Sequence, residues 1–153
     1  MVRAAFSTGT QKHIAKTGSN MRMWMVKPVM MCGKHLLGEH VELHMIFGHL
    51  IRGRHIRGFV ANNCVEPTSL FARHEIIVAE MWSRGYRHRS PMTIDYKIFD
   101  HLDRDERACN VDRAVSLAEL IRRCKDCGHL YDRYIETELK ERHRRIIEGM
   151  WEI

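Results

Sequence analysis

The chain contains little that interrupts helices, since only 3 prolines and 10 glycines occur among its 153 residues. It also lacks any apolar run close to the roughly 20 residues that a membrane-spanning helix requires, so we expect no membrane association. Wholesale disorder is excluded, because 44% hydrophobic and 29% charged residues are typical of globular proteins. A chain of this length is expected to form one domain around one core.

The cysteines do not form a regular disulfide framework, and their odd number predicts reduced thiols in a cytoplasmic protein. Cys124 and Cys127 form a C-x2-C pair, followed by His129, but no second C-x2-C completes a four-ligand zinc site. We therefore expect no metal site and no cofactor, with zinc or redox chemistry at this pair as the alternative. The five cysteines are Cys32, Cys64, Cys109, Cys124 and Cys127.

Positive charge is in excess, with a formal net charge of +6. This excess suggests a polyanionic partner, because Lys and Arg side chains that neutralise phosphates release counterions and raise affinity. Charge alone leaves the question open, since many basic proteins bind no nucleic acid. The candidate phosphate contacts are Arg52, Arg54, Arg57 and Arg87.

Residues 1–20 differ from the rest of the chain, because they carry Arg3, Lys12 and Lys16 but no acidic residue, and they have no apolar periodicity. Three interpretations remain open. The segment could follow from a start codon assigned too far upstream, with Met21 as the true start. It could also be a flexible basic tail or a transit-like peptide. We expect residues 1–20 to lie outside the core, and residues 21–153 to form a single helical domain.

Apolar periodicity predicts an all-α fold, a compact single domain with an N-terminal helix at its centre. The central helix is expected over about 35–52, and a second helix is expected to begin after Thr68 or Ser69 and to end at Gly85. Two further helical segments are expected over about 112–124 and 130–150, the last a charged, solvated or partner-binding helix. Both Trp24 and Trp82 are expected in the core. The predicted buried face of the second helix comprises Leu70, Ile76, Ile77, Met81 and Trp82.

Three ionisable side chains lie on one face of the central helix. His35, Glu39 and Glu42 are four and three positions apart, which places them within a stripe about 60° wide. Two carboxylates one turn apart repel each other and raise the pKa of at least one of them. A solvated acidic stripe and a metal site built from the three groups are the two interpretations that the spacing leaves open.

The segment KHLLGEHVELHMIFG, residues 34–48, resembles the first-helix motif of the pyrimidine dimer DNA glycosylases, also called the endonuclease V type. In that motif a His, a Glu and a Glu-Leu pair precede a Phe-Gly. The resemblance matches the family's His to His35, its structural acid to Glu39 and its catalytic Glu to Glu42. The second helix is similar as well, since it ends in the basic-Gly-aromatic step Arg84-Gly85-Tyr86. The resemblance covers about residues 21–92.

The resemblance implies an enzyme that acts on damaged double-stranded DNA as a glycosylase and abasic-site lyase, without a cofactor and as a monomer. The family's nucleophile is the α-amine of the mature N-terminus, which forms an imine with the sugar. A terminal amine titrates near pH 8, so far more of it is unprotonated at neutral pH than of a lysine. In the family's phage member the motif His lies 14 residues after the terminus, as His35 does after Met21. Met21 and Glu42 are thus the implied catalytic residues, and Arg22 and His35 are implied DNA contacts.

The chain departs from the motif at two positions, since Val41 and Met45 stand where the family's phage members have arginines. Neither side chain can contact phosphate, so the replacement cations would come from Arg52, Arg54, Arg57 or Arg87. Two alternatives to the glycosylase remain: a non-catalytic nucleic-acid-binding module on the same scaffold, and a metal-dependent hydrolase that uses the ionisable stripe.

Overall fold

The computed structural model describes residues 21–151, and all regular secondary structure in that range is helical, which confirms the all-α prediction. The predicted extension, residues 1–20, lies outside the described residues. A non-helical segment over 21–27 leads into the first helix. The α-helices are α1 (Gly33–Ile51), α2 (Arg57–Val60), α3 (Leu70–Ser83), α4 (Arg104–Ala108), α5 (Arg113–Arg123) and α6 (Lys125–Trp151). Short 3-10 turns cover Pro28–Met30, Pro67–Ser69 and Tyr96–Phe99.

Helix α1 lies at the centre of the core and packs against α3. Its fully buried apolar side chains recur three, four or seven positions apart, as expected for one face of a helix. They are Leu36, Leu43, Ile46 and Leu50. Leu37, Val41 and Ile51 are exposed on the other side of the helix.

Helix α3 begins and ends close to the predicted boundaries. Ser69 occupies the N-cap position, although its side chain makes no capping hydrogen bond to α3. Gly85 has a φ of +79°, a left-handed conformation that favours glycine and ends the helix. The predicted buried face was wrong at Ile76 and Trp82, which are 50% and 57% exposed. Each lies about 100° around the helix from a buried neighbour in the sequence, and so falls outside the buried stripe.

Helix α6 has a packed beginning and a solvated remainder. Its first turns contact α5 and the Pro28–Met30 turn, and Cys127 is fully buried there. Further along, apolar side chains such as Leu139 and Ile146 are exposed among charged ones, as expected for the charged helix. No helix within residues 21–151 combines the length and the apolar character that crossing a membrane would require.

Candidate active site

Two carboxylates of α1 hold the N-terminal segment against the helix. The backbone N–H of Trp24 donates to Glu39 Oε1 at 3.0 Å, and that of Arg22 donates to Glu42 Oε2 at 3.2 Å. Met21, which is buried, precedes Arg22 by a single peptide bond. The two residues that the resemblance implied as catalytic, Met21 and Glu42, are therefore brought close together.

Glu39 is committed to a buried ion pair. Its Oε1 and Oε2 accept hydrogen bonds from Nε and Nη2 of Arg73, each at 2.8 Å, and both side chains are almost completely buried. The same guanidinium donates through Nη1 to the carbonyl oxygen of Val26 at 2.7 Å. Arg73 thus joins α3, α1 and the N-terminal segment, and Glu39 serves as a structural acid rather than as a second free carboxylate.

Glu42, in contrast, is half-buried at the wall of a pocket of about 210 Å³. Burial raises the pKa of Glu42 above its ordinary value, while the hydrogen bond from the Arg22 N–H opposes the shift. A carboxyl group with a raised pKa can exchange protons closer to neutral pH. The pocket is lined by Arg22, Trp24, Lys34, His35, Gly38, Glu39, Glu42 and Arg123.

Three cationic side chains surround this pocket, of which only Arg22 was predicted. The guanidinium of Arg22 lies 4.0 Å from the ring centroid of Trp24, and its buried Nε has no hydrogen-bond partner within residues 21–151. Lys34 could have been found from the sequence, because it lies eight positions before Glu42, only about 80° from it around the helix axis. Arg123, at the end of α5, had no signal in the sequence. The pocket therefore offers positive charge beside a carboxylate, which suits a phosphate-bearing substrate.

Arg52 supplies a cation to the exposed face of α1. Its guanidinium lies beside Gly48 and lines a shallow depression together with Val41 and Met45. Those are the two positions where the family's phage members have arginines. Arg52 therefore brings positive charge to the face from which the two expected arginines are missing.

The other predicted DNA contacts lie away from the pocket that contains Glu42. Arg54 and Arg87 are exposed, and neither lines that pocket. Arg57 is exposed too, but its Nε is paired with Asp103 Oδ2 at 3.0 Å. The structure thus does not gather these three arginines around Glu42.

His35 takes part in a second cluster beside the pocket. Its Nδ1 lies 3.3 Å from Cys32 Sγ and 3.5 Å from Cys127 Sγ, and Cys32 Sγ lies 3.8 Å from Cys124 Sγ. Burial lowers the pKa of His35. The predicted Cys124 and Cys127 pair is therefore joined by a C-x2-H sequence at the start of α1. That C-x2-H is the signal that the sequence analysis missed.

Four imidazoles form a separate cluster beside α1 and α3, which was not predicted from the sequence. His44 and His74 face each other with their Nε2 atoms 3.2 Å apart, while the buried Nε2 of His40 has no hydrogen-bond partner within the described part of the chain. Burial and the neighbouring imidazoles lower the pKa of His40 to about 4. The ring nitrogens of His40, His44, His74 and His88 are close enough together to surround one ion.

Comparison with known proteins gives one family. Residues 21–94 match the family described as pyrimidine dimer DNA glycosylase, which confirms the resemblance. The matched residues include Arg22, Glu39, Glu42 and Arg73, whereas Arg123 and helices α4, α5 and α6 lie outside them. Neither a curated protein nor a solved structure matches the chain.

Proposed function

We propose that this chain excises damaged pyrimidines and then cleaves the abasic strand, with the Met21 α-amine as nucleophile, because its residues 21–94 match the pyrimidine dimer DNA glycosylase family. The family implies glycosylase activity on DNA. The observation that supports the finer mechanism is the hydrogen bond from the Arg22 N–H to Glu42 Oε2 at 3.2 Å. An α-amine at Met21 would belong to the residue directly before this N–H. The Glu42 carboxylate could then accept protons from the amine and return them.

The proposed reaction balances without a cofactor. The lone pair of the amine forms a bond to C1′ while the C1′–base bond breaks, and the departing base takes that electron pair. Opening of the sugar ring gives an imine. Loss of a C2′ proton then expels the 3′ phosphate and cuts the strand. Glu42 would stabilise the positive charge on the sugar and carry the protons between these steps.

The cations around the pocket would orient the DNA backbone. Arg22, Lys34 and Arg123 all line the pocket, so a phosphate flanking the damaged nucleotide would be bound beside Glu42. Recognition of this kind fixes the position of the duplex but carries no sequence information. Discrimination between lesions would depend on the shape of the pocket into which the damaged nucleotide is extruded.

The geometry does not favour the metal-dependent hydrolase. Both oxygens of Glu39 accept hydrogen bonds from Arg73, and Nδ1 of His35 faces cysteine sulfurs. A metal ion at the stripe would have to disrupt the buried ion pair. The non-catalytic module remains the competing function, and an experiment on the reactive amine separates it from the enzyme.

The test compares protein that begins at Met21 with protein that begins at Met1, each incubated with duplex DNA containing a thymine dimer or an abasic site in the presence of borohydride. We expect a covalent protein–DNA adduct only for the chain that begins at Met21, because an upstream peptide converts the amine into an unreactive amide. Selective methylation of the α-amine should abolish the adduct. If neither protein is trapped while both bind DNA in a salt-dependent manner, the non-catalytic module is the correct function.

Terminal sequencing of the natively expressed protein provides an independent test. The proposal expects Met21 as the first residue of the active protein, because methionine before arginine is normally retained. A native protein that begins at Met1, and that cleaves damaged DNA in that form, would contradict the assignment of Met21.

A further inference from the structure

Two short motifs, whose corresponding residues are 92 positions apart in the chain, meet beside the candidate active site. Cys32 and His35 form a C-x2-H sequence at the first turn of α1. Cys124 and Cys127 form a C-x2-C sequence where α5 passes into α6. All four ligand atoms, three Sγ and one imidazole nitrogen, lie within 4.8 Å of one another.

The spacing of these atoms matches the ligand shell of a single tetrahedral ion. With Zn–S bonds of about 2.3 Å and Zn–N bonds of about 2.05 Å, a tetrahedron has S···S edges of about 3.8 Å and S···N edges of about 3.5 Å. The Cys32 and Cys124 sulfurs are 3.8 Å apart. The His35 Nδ1 lies 3.3 Å from Cys32 Sγ and 3.5 Å from Cys127 Sγ.

Backbone amides are already directed at these sulfurs. The Cys32 N–H donates to Cys127 Sγ at 3.2 Å, and the Cys127 N–H donates to Cys124 Sγ at 3.5 Å. Such donors stabilise thiolates and orient the ligands of a metal. The remaining cysteines bond elsewhere, since Cys64 Sγ donates to the carbonyl oxygen of Asn62 and Cys109 Sγ to that of Val60.

We propose that Cys32, His35, Cys124 and Cys127 bind one zinc ion in a closed structural site, and that this ion joins the α5–α6 junction to the start of α1. Three thiolates and an imidazole form a ligand set that selects zinc. Four protein ligands leave no open position for a substrate, so the role is structural. This assignment is independent of the proposed glycosylase activity.

The arrangement fits a single ion better than the alternatives. A disulfide between Cys32 and Cys124 would require their sulfurs to approach from 3.8 Å to about 2.05 Å. A two-iron or four-iron cluster distributes the four ligands over several irons, and would hold the ligand atoms farther apart than they are here. Because the His35 ring also packs edge-on against Trp24, with centroids 5.5 Å apart, the ion would stiffen one wall of the pocket that contains Glu42.

The first test is the metal content of the full chain, purified with its thiols reduced, without chelators and from a zinc-supplemented culture. We expect Cys124→Ser/Cys127→Ser to contain one zinc equivalent less per chain than the unmodified protein. The matched control, Cys64→Ser/Cys109→Ser, should retain the full content. The difference is what counts, because the histidine cluster could bind an ion of its own. Equal zinc content in the two double variants would overturn the proposal.

A second measurement remains informative if the serine variant fails to fold. Cobalt added to the reduced, metal-free full chain should give the intense visible bands of a tetrahedral ion, together with sulfur-to-cobalt charge transfer. His35→Cys should still bind cobalt and should strengthen the charge-transfer band, because a fourth thiolate replaces the imidazole. Absence of thiolate–cobalt absorption in the unmodified chain, or a Cys32–Cys124 disulfide in freshly isolated protein, would also overturn the zinc assignment.

Discussion

The Glu42 carboxylate accepts a hydrogen bond from the backbone N–H of Arg22 across 3.2 Å, and so connects α1 to the segment that begins at Met21. Three positions earlier, Glu39 makes the equivalent bond to the Trp24 N–H at 3.0 Å. Because the two carboxylates lie one turn apart on a rigid helix, together they fix how the segment lies along α1. The position of residue 21 relative to Glu42 therefore follows from two specific hydrogen bonds.

We expect Glu42→Gln to lower the single-turnover rate of dimer excision by at least about 100-fold, because removal of a general acid–base group typically costs 10²–10⁴-fold. The glutamine amide oxygen can still accept from the Arg22 N–H, so the melting temperature should change little. Glu138→Gln, on the exposed part of α6, is the matched control and should retain the activity. A rate for Glu42→Gln within threefold of the unmodified enzyme would exclude Glu42 from the chemistry.

The pH profile offers a second measurement on the same carboxylate. Burial raises the pKa of Glu42, so the active carboxylate form should be lost at a higher pH than for an ordinary glutamate as the solution is acidified. The nucleophilic amine of Met21 also titrates, near pH 8, so we expect the single-turnover rate to fall in two steps as the solution is acidified. The step at lower pH should report Glu42 and should disappear from the residual rate of Glu42→Gln, whereas the step from the amine should remain. A lower step of identical midpoint in the variant would assign it to another group.

Breaking the ion pair between Glu39 and Arg73 on one side should strongly destabilise the protein. Arg73→Met leaves the Glu39 carboxylate buried without its cation, and we expect a loss of about 3–5 kcal/mol in the free energy of unfolding. Urea denaturation monitored by tryptophan fluorescence measures the change. Glu39→Met combined with Arg73→Met should cost less than the sum of the single changes, because no charge is then left unpaired.

Removal of the exposed Glu136 carboxylate, which is paired with Lys140 on α6, provides the comparison. Glu136→Gln should leave the free energy of unfolding almost unchanged, because solvent screens exposed pairs. If Arg73→Met were as mild as Glu136→Gln, the buried pair would not organise the N-terminal segment in the way the structure indicates.

The sequence predicted the parts of the fold that depend on local periodicity. The boundaries of α1 and α3 followed from apolar spacing and from Gly85, because these signals act within one helical turn. Burial of individual side chains was less predictable, as the exposure of Trp82 and Ile76 demonstrates. Which side of a helix faces the core depends on its partners, and a single sequence does not contain that information.

The residues of the candidate site were likewise predictable only where they lie close together in the sequence. Glu39 and Glu42 were identified through a contiguous motif, and Arg22 through its position directly after Met21. Arg123, in contrast, reaches the pocket from α5, 81 positions after Glu42 in the chain. Of the cluster formed by Cys32, His35, Cys124 and Cys127, the sequence indicated only the C-x2-C pair. Its other half, Cys32 and His35, was not connected with that pair, because His35 already had a role in the family motif.

Glu66 should make the stability of the protein sensitive to acid. The Arg113 guanidinium lowers the pKa of Glu66 from 4.5 to about 2, assisted by hydrogen bonds from Ser69 and Val111. Because the pKa is lower in the folded state, this stabilisation is complete above about pH 4.5 and is lost as the pH falls towards 2. Because the Arg113 guanidinium is half exposed, solvent screens this pair, and we expect a contribution of about 1–2 kcal/mol to the free energy of unfolding at neutral pH.

The measurement is urea denaturation of the unmodified protein and of Glu66→Gln at several pH values. We expect the difference in unfolding free energy between them to be largest at neutral pH and to shrink as the pH falls from 5 to 2. Other acidic groups contribute equally to both proteins and cancel in the difference. A difference that stays constant over this range would mean that the Glu66 carboxylate is not stabilised by Arg113 in the folded state.

Arg52 should contribute to DNA binding through phosphate contact. Each phosphate that a cation neutralises adds about 0.9 to the slope of log affinity against log salt, so Arg52→Gln should lower the slope for a dimer-containing duplex by about that amount. Arg57→Gln should lower it less, because the Arg57 guanidinium is already paired with Asp103. Arg144→Gln, on the solvated part of α6, is the control and should leave the slope unchanged. If Arg52→Gln and Arg144→Gln gave the same slope, the exposed face of α1 around Val41 and Met45 would not contact the duplex, and binding would have to rely on the cations around Glu42.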